Sequence, residues 1–170
     1  MKESGKKLKE LAAKLNDKNT NVISSVIISL REEEPFYGAI RILTEVFDRS
    51  DDLTVKGLIR NFMNDIKESG TRPEIISEIR KSYKPETICM LVSSCWQSGL
   101  DYSQYAEDMM KVFLSGDYMV SLECLTVIEE SLHNIPEKMK NEMITYLEQN
   151  KGKINNERHA LVNELISILG

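Results

Sequence analysis

Cysteine, histidine, proline and glycine are all scarce in this chain of 170 residues, and each scarcity excludes something. The three cysteines, Cys89, Cys95 and Cys124, are odd in number, lack C-x-x-C spacing and lie in apolar helical stretches. They read as reduced core thiols and not as a disulfide framework or a redox pair. The only histidines, His133 and His159, have no neighbouring cysteine or carboxylate pattern, and no H-E-x-x-H occurs. No zinc site is therefore expected. His133, expected at a helix end, reads as a surface residue favoured by the helix dipole, and His159 is placed inside the last helix. Glycine-rich phosphate loops, a G-x-S-x-G elbow and the oxygen-ligand spacing of an EF-hand are also missing. The expectation is a protein without catalytic residues, metal or cofactor. No apolar run approaches the ~20 residues that span a bilayer, and Met1-Lys2-Glu3-Ser4-Gly5-Lys6-Lys7-Leu8 lacks the apolar core of a secretory signal. A cytoplasmic protein with no membrane contact follows as the expectation. Positive charge is short as well: 22 Lys+Arg stand against 27 Asp+Glu, a net −5. That balance argues against a protein whose task is to grip phosphate backbones.

What is present is helix. Few breakers and no short alternating runs leave ten segments with helical period, approximately 5–16, 20–33, 35–48, 53–68, 73–83, 86–98, 103–115, 118–132, 136–149 and 156–169. Pro35, Pro73, Pro85 and Pro136 stand near helix starts, where the missing N–H costs little. Asp17, Asp52, Asp101 and Asp117 precede or open helices as caps. Gly70, Gly99 and Gly116 are expected as left-handed helix ends. Short loops make successive helices antiparallel neighbours.

The segments repeat. Val22, Val55 and Ile88 are 33 residues apart, as are Val26, Ile59 and Val92, then Leu43, Ile76 and Met109, then Val46, Ile79 and Val112. Val120 and Cys124 continue the first two series with a small drift, and Met143 and Leu147 lie 34 beyond Met109 and Phe113. A two-helix unit with a period near 33 points to an α-solenoid, because one amphipathic hairpin cannot bury its apolar stripe alone. The expected fold is all-α: one domain over 1–170, an α-α superhelix of about five stacked antiparallel hairpins at 5–33, 35–68, 73–98, 103–132 and 136–169. Ile88–Trp96 is the most apolar run and should be the most deeply buried. Met109, Met110, Met119, Met139 and Met143 read as core filling at helical spacing.

The inter-helix turns Asp17-Lys18-Asn19-Thr20-Asn21-Val22, Asp52-Leu53-Thr54-Val55 and Asp117-Tyr118-Met119-Val120 resemble the turn of HEAT repeats, an Asp followed by a β-branched residue opening the second helix. Lys84-Pro85-Glu86-Thr87-Ile88 is similar but lacks the Asp, and the usual Arg is replaced by Ile23, Lys56, Cys89 and Ser121. The HEAT/armadillo resemblance implies that the second helix of each pair lines a binding surface. It points to Lys56, Arg60, Asn61 and Asn64 in the second hairpin, Ser93, Ser94 and Gln97 in the third, and Ser121, Thr126, Glu129 and Glu130 in the fourth. Trp96, the single tryptophan, reads first as packing between repeats and is kept as a candidate anchor. The acidic runs Glu32-Glu33-Glu34, Asp51-Asp52 and Glu129-Glu130 read as solvated tips.

The leading expectation is a non-catalytic module that binds another protein or an extended peptide on one face, through Lys56, Arg60, Asn64, Ser93, Trp96, Gln97 and Glu130. A second reading comes from HEAT-like alkylpurine DNA glycosylases, with Lys56, Arg60 and Trp96 as DNA contacts; the acidic balance opposes it. A third is a compact bundle that houses a small ligand. Oligomeric state is not encoded in any of these features.

Overall fold

A computed structural model of the chain describes residues 2–33 and 36–170, with side chains from residue 5 onward. Glu34, the last member of the acidic run, and Pro35, the expected start of the third helix, lie outside the described residues. Among the described residues there are ten α-helices and no strand. They are α1 (Lys2–Lys14), α2 (Thr20–Leu30), α3 (Ala39–Arg49), α4 (Leu53–Asn64), α5 (Arg72–Ile79), α6 (Pro85–Gln97), α7 (Ala106–Ser115), α8 (Tyr118–Ser131), α9 (Glu137–Asn150) and α10 (His159–Leu169). Within the span read as one domain, the chain divides into two compact units, Met1–Ser98 and Gly99–Gly170.

In the first unit each helix packs on its hairpin partner: α1 on α2, α3 on α4, α5 on α6. Alternate helices are neighbours too, α1 with α3 and α3 with α5, α2 with α4 and α4 with α6. The second unit repeats the scheme, with α7 on α8, α9 on α10, α7 beside α9 and α8 beside α10. Polar bonds link residues 32 to 34 positions apart. Thr20 donates to Asp52 at 3.1 Å, Arg31 to Asp65 at 2.6 Å and Asn64 to Gln97 at 2.6 Å, and in the second unit Asn134 donates to Asp101 at 3.2 Å.

The 33-residue series meet the core unevenly. Leu43, Ile76 and Met109 are all buried. Val55, Ile59, Val92, Val120, Cys124, Met143 and Leu147 are buried as well, whereas Val22, Val26, Ile88 and Val112 are half-buried. In α2 the deepest positions are Ile27 and Leu30, so its apolar stripe is turned slightly from the expected one. Met90–Cys95 of α6 is buried throughout, Ser93 and Ser94 included; their hydroxyls donate to carbonyls three residues back and so bury without loss. Met109, Met110 and Met143 fill the core as expected, but Met119 stands exposed at the start of α8.

Helix ends follow local chemistry with several corrections. Asp52 and Asp117 cap α4 and α8, accepting from Thr54 and Val55 N–H and from Val120 N–H. The Val55 N–H is the main reason the Asp52 carboxyl sits below the usual carboxylate range. Asp17 accepts from Asn19 N–H, and it is Asn19 that caps α2. Asp101 accepts from Ser103 N–H at a short 3-10 turn, which is why α7 begins only at Ala106. Where the fourth turn lacks its Asp, Asp48 of α3 substitutes from a distance, accepting from Lys84 N–H at 2.9 Å and Thr87 Oγ1 at 2.8 Å. Of the three expected left-handed glycines only Gly99 is so (φ 70°). Gly70 lies inside a 3-10 turn and Gly116 is extended. Gly116 is needed for space instead: an added Cβ would stand 2.5 Å from Val120 Cγ1. α2 ends at Leu30, so Glu32 and Glu33, both exposed, lie beyond its C-terminus and not within its last turn. His159 lies in the last helix as its first residue, its Nε2 3.0 Å from Ile154 O.

Candidate functional site

The residues expected to line a binding face divide into those the fold consumes and those it presents. α4 and α6 run side by side in the same direction, since Lys56 meets Glu86 near their starts and Asn64 meets Gln97 near their ends. Lys56 is buried, paired with Glu86 and 5.1 Å above the Phe47 ring. Ser93 is buried and bonded within its own helix. Arg60 remains exposed, with its guanidinium carbon 5.8 Å from the Phe47 ring centre. Gln97 is exposed, and Trp96 keeps 37% of its surface exposed. Glu130 is exposed on α8 in the second unit. Of the three DNA contacts considered, Lys56 is thus committed to a carboxylate of this chain.

A second feature was not legible from the helix pattern. Where α2 and α4 finish and α3 and α5 begin, the first unit holds an open cavity of about 450 Å³, within the ~300–1,000 Å³ typical of ligand sites. Its walls are Leu30, Phe36, Ala39, Ile40, Phe62 and Ile66; Tyr37, 80% exposed, stands at its edge. Among the described residues the lining carries four carboxylates, Glu33, Asp65, Glu68 and Glu74, against one cation, Arg31.

The geometry that makes this cavity starts at Gly38, whose φ of 96° lets the chain turn into α3 at Ala39, later than expected. A Cβ there would meet the Leu8 side chain at 2.8 Å. α3 has no local capping side chain; Glu74 of α5 supplies the acceptor, taking Gly38 N–H at 3.0 Å and Arg41 N–H at 3.1 Å. A carboxylate at a helix N-terminus compensates both the open N–H groups and the dipole, which is why Glu74 is tolerated at 7% exposure. Across the cavity, the Arg31–Asp65 pair joins the ends of α2 and α4.

A third polar cluster has a structural explanation. Glu78, buried on α5, accepts from Lys81 Nζ through both oxygens and from Tyr83 O–H at 2.7 Å. These bonds hold 80–84 out of helix, so α5 stops at Ile79 and not near 83 as expected. Burial first, then the Glu78 bond and the nearby charges of Glu78, Glu45 and Asp48, push the Tyr83 phenol well above its ordinary value of 10.0. Because the folded value is raised, the contribution is fully present below pH 10.0 and is lost as the pH climbs through the raised value. Absorbance titration at the tyrosinate band should therefore show a late-ionising phenol that Tyr83→Phe removes, and the variant should lose less stability than the parent above pH 10. An unchanged titration curve in Tyr83→Phe contradicts this.

Among the described residues no group of three or more His, Cys, Asp or Glu is arranged to hold a metal ion, and no helix is long and apolar enough to cross a membrane. Sequence reasoning passed over Glu74, Glu68, Phe62 and Tyr37. The one available signal was Phe36-Tyr37-Gly38, two aromatics and a glycine between helices. Comparison with protein families, with characterised proteins and with solved structures returns no match.

Proposed function

We propose that this chain is a short α-solenoid of the HEAT/armadillo type, cytoplasmic and non-catalytic, that binds another protein through the exposed residues of α4 and α6. The observation that carries the reading is the exposure of Trp96 at a place where Leu30 and Met63, each 33 residues from the next, are buried. Leu30 and Met63 are 7% and 0% exposed, whereas Trp96 is 37% exposed at the corresponding place. A tryptophan offers one of the largest apolar areas of any side chain with few torsions to freeze, and such residues dominate binding energy at interfaces. Arg60, on the adjacent helix α4, supplies a cation that prefers flat or carboxylate partners. The helix neighbours one repeat apart, and the bonds Thr20–Asp52, Arg31–Asp65 and Asn64–Gln97, are what a stacked-hairpin array needs.

The test is affinity capture with quantitative mass spectrometry, comparing the parent chain with an Arg60→Glu/Trp96→Ala double variant of unchanged helicity and unfolding midpoint. At least one protein should be enriched by the parent and lost about tenfold or more by the variant, equivalent to 1.4 kcal/mol. Equal capture by both chains rejects this face as the binding surface.

A further inference from the structure

We infer that the cavity at the ends of α2 and α4 is a second docking site, which receives a basic-apolar peptide: an aliphatic or aromatic side chain flanked by Lys or Arg, from a partner protein. This rests on the reading of the chain as a protein-binding module but uses a different surface. The cavity of about 450 Å³ is open, and Leu30, Ile40, Phe62 and Ile66 give it apolar walls that suit a large side chain.

Charge selects the occupant. Arg31, the one cation in the lining, is paired with Asp65 at 2.6 Å, so an anion would find no uncommitted positive partner in the lining. Glu74 is compensated by two backbone N–H groups of α3. Glu33 and Glu68 remain, both exposed at the mouth. A neutral apolar ligand would leave their field unused, whereas a cationic neighbour of the buried side chain would meet it directly. Tyr37 adds an exposed aromatic face at the same edge, a surface on which Lys or Arg gains cation–π attraction. Glu33 lies on the α2–α3 connection and Glu68 on the α4–α5 connection, on different segments bordering the cavity. A ligand that meets both and also fills the cavity has to be an extended chain carrying more than one functional group, which favours a peptide over a small amine.

The experiment selects phage-displayed heptapeptides on the immobilised full chain, then measures the best synthetic peptide by fluorescence anisotropy. Enriched peptides should carry Lys or Arg within two positions of a large apolar residue. Their affinity should fall as salt rises, and by about tenfold or more with Glu33→Lys/Glu68→Lys. Both substitutions are at exposed positions, so circular dichroism and the unfolding midpoint should match the parent; Tyr37→Ala is a second, charge-neutral variant that should also weaken binding. The inference is overturned by absence of enrichment, by acidic or uncharged consensus peptides, or by affinity indifferent to the double charge reversal. It is equally overturned if phenethylammonium alone binds as tightly as the peptide, or if sedimentation shows self-association that the charge reversal abolishes, since a second copy would then be the occupant. Should Arg60→Glu/Trp96→Ala abolish peptide binding while the mouth variants do not, this inference fails and the α4–α6 reading survives. Loss only with the mouth variants supports the cavity independently of that face.

Discussion

Replacing Phe47 by alanine is expected to lower the stability of the first unit by about 3–5 kcal/mol, the range for a large aromatic removed from a core that cannot collapse around the gap. Phe47 lies on α3 with no exposed surface. Two cations of α4, Lys56 and Arg60, stand over its ring at 5.1 and 5.8 Å. The ring therefore fills the core and also offers its negative face to a buried ammonium whose other partner is Glu86. Truncation leaves a void and strips that ammonium of one stabilising surface. Phe47→Leu keeps most of the apolar volume and loses the ring, so it should cost clearly less. Hydrogen exchange of the α3 and α4 amides, read alongside urea denaturation, separates the two. If Phe47→Ala left those amides as protected as in the parent, the packing account of this helix pair would be wrong.

The second large effect is expected at Arg158, in the unit formed by Gly99–Gly170. Its Nη1 lies 3.2 Å from Phe113 O, 3.2 Å from Leu114 O and 2.6 Å from Gly116 O, and 3.3 Å from Ser121 Oγ. These carbonyls are the open C-terminal acceptors of α7, where the helix carries partial negative charge. Ser121 Oγ sits 2.8 Å from both Phe113 O and Asp117 O and braces the same turn. Gly116 brings the chain close enough for this arrangement, since any Cβ there would collide with Val120. Removing a charged donor from several part-buried carbonyls should cost about 2–3 kcal/mol, as for hydrogen bonds to charged groups generally. Arg158→Lys should recover only part of it, because a single ammonium cannot also replace the Nε–H that donates to Asn155 Oδ1 at 3.1 Å. The measurement is the urea midpoint together with exchange at the α7 C-terminal amides. A midpoint unchanged within error in Arg158→Ala would show that water satisfies those carbonyls equally well.

Both residues illustrate how far one-dimensional reading reaches. The helices around Phe47 are expected from spacing: α3 and α4 appear among the ten segments, and Asp52 caps α4 as its position suggests. Periodicity marks which face of a helix is apolar, and capping residues act on N–H groups two or three positions away, so both are local quantities. Two helix entries are instead set by a distant group: Glu74 captures the entry to α3, and Asp48 holds the Lys84 N–H and the Thr87 hydroxyl at the start of α6, where a local Asp is absent. Glu78 ends α5 from closer by, holding Lys81 and Tyr83.

The same distinction runs through the candidate sites. Arg60, Trp96 and Gln97 are presented at the surface by helices whose phase the sequence carries. Lys56 looks equally available on a helical wheel, yet its ammonium is held by Glu86, thirty residues on, and by the Phe47 ring. The cavity is assembled from the ends of four helices and the turns joining them, with a left-handed Gly38 at its rim.

By itself, then, the order of residues determined the all-helical character, the helix count, two of the four expected aspartate caps and most of the apolar stripes, because each depends on interactions within a turn or two. Tertiary packing alone decided which cations are spent on carboxylates, which helix ends are closed by remote side chains, and where an apolar hollow with an acidic mouth remains open. Those outcomes depend on distances between segments some thirty residues apart, which the helical period leaves free until the helices pack.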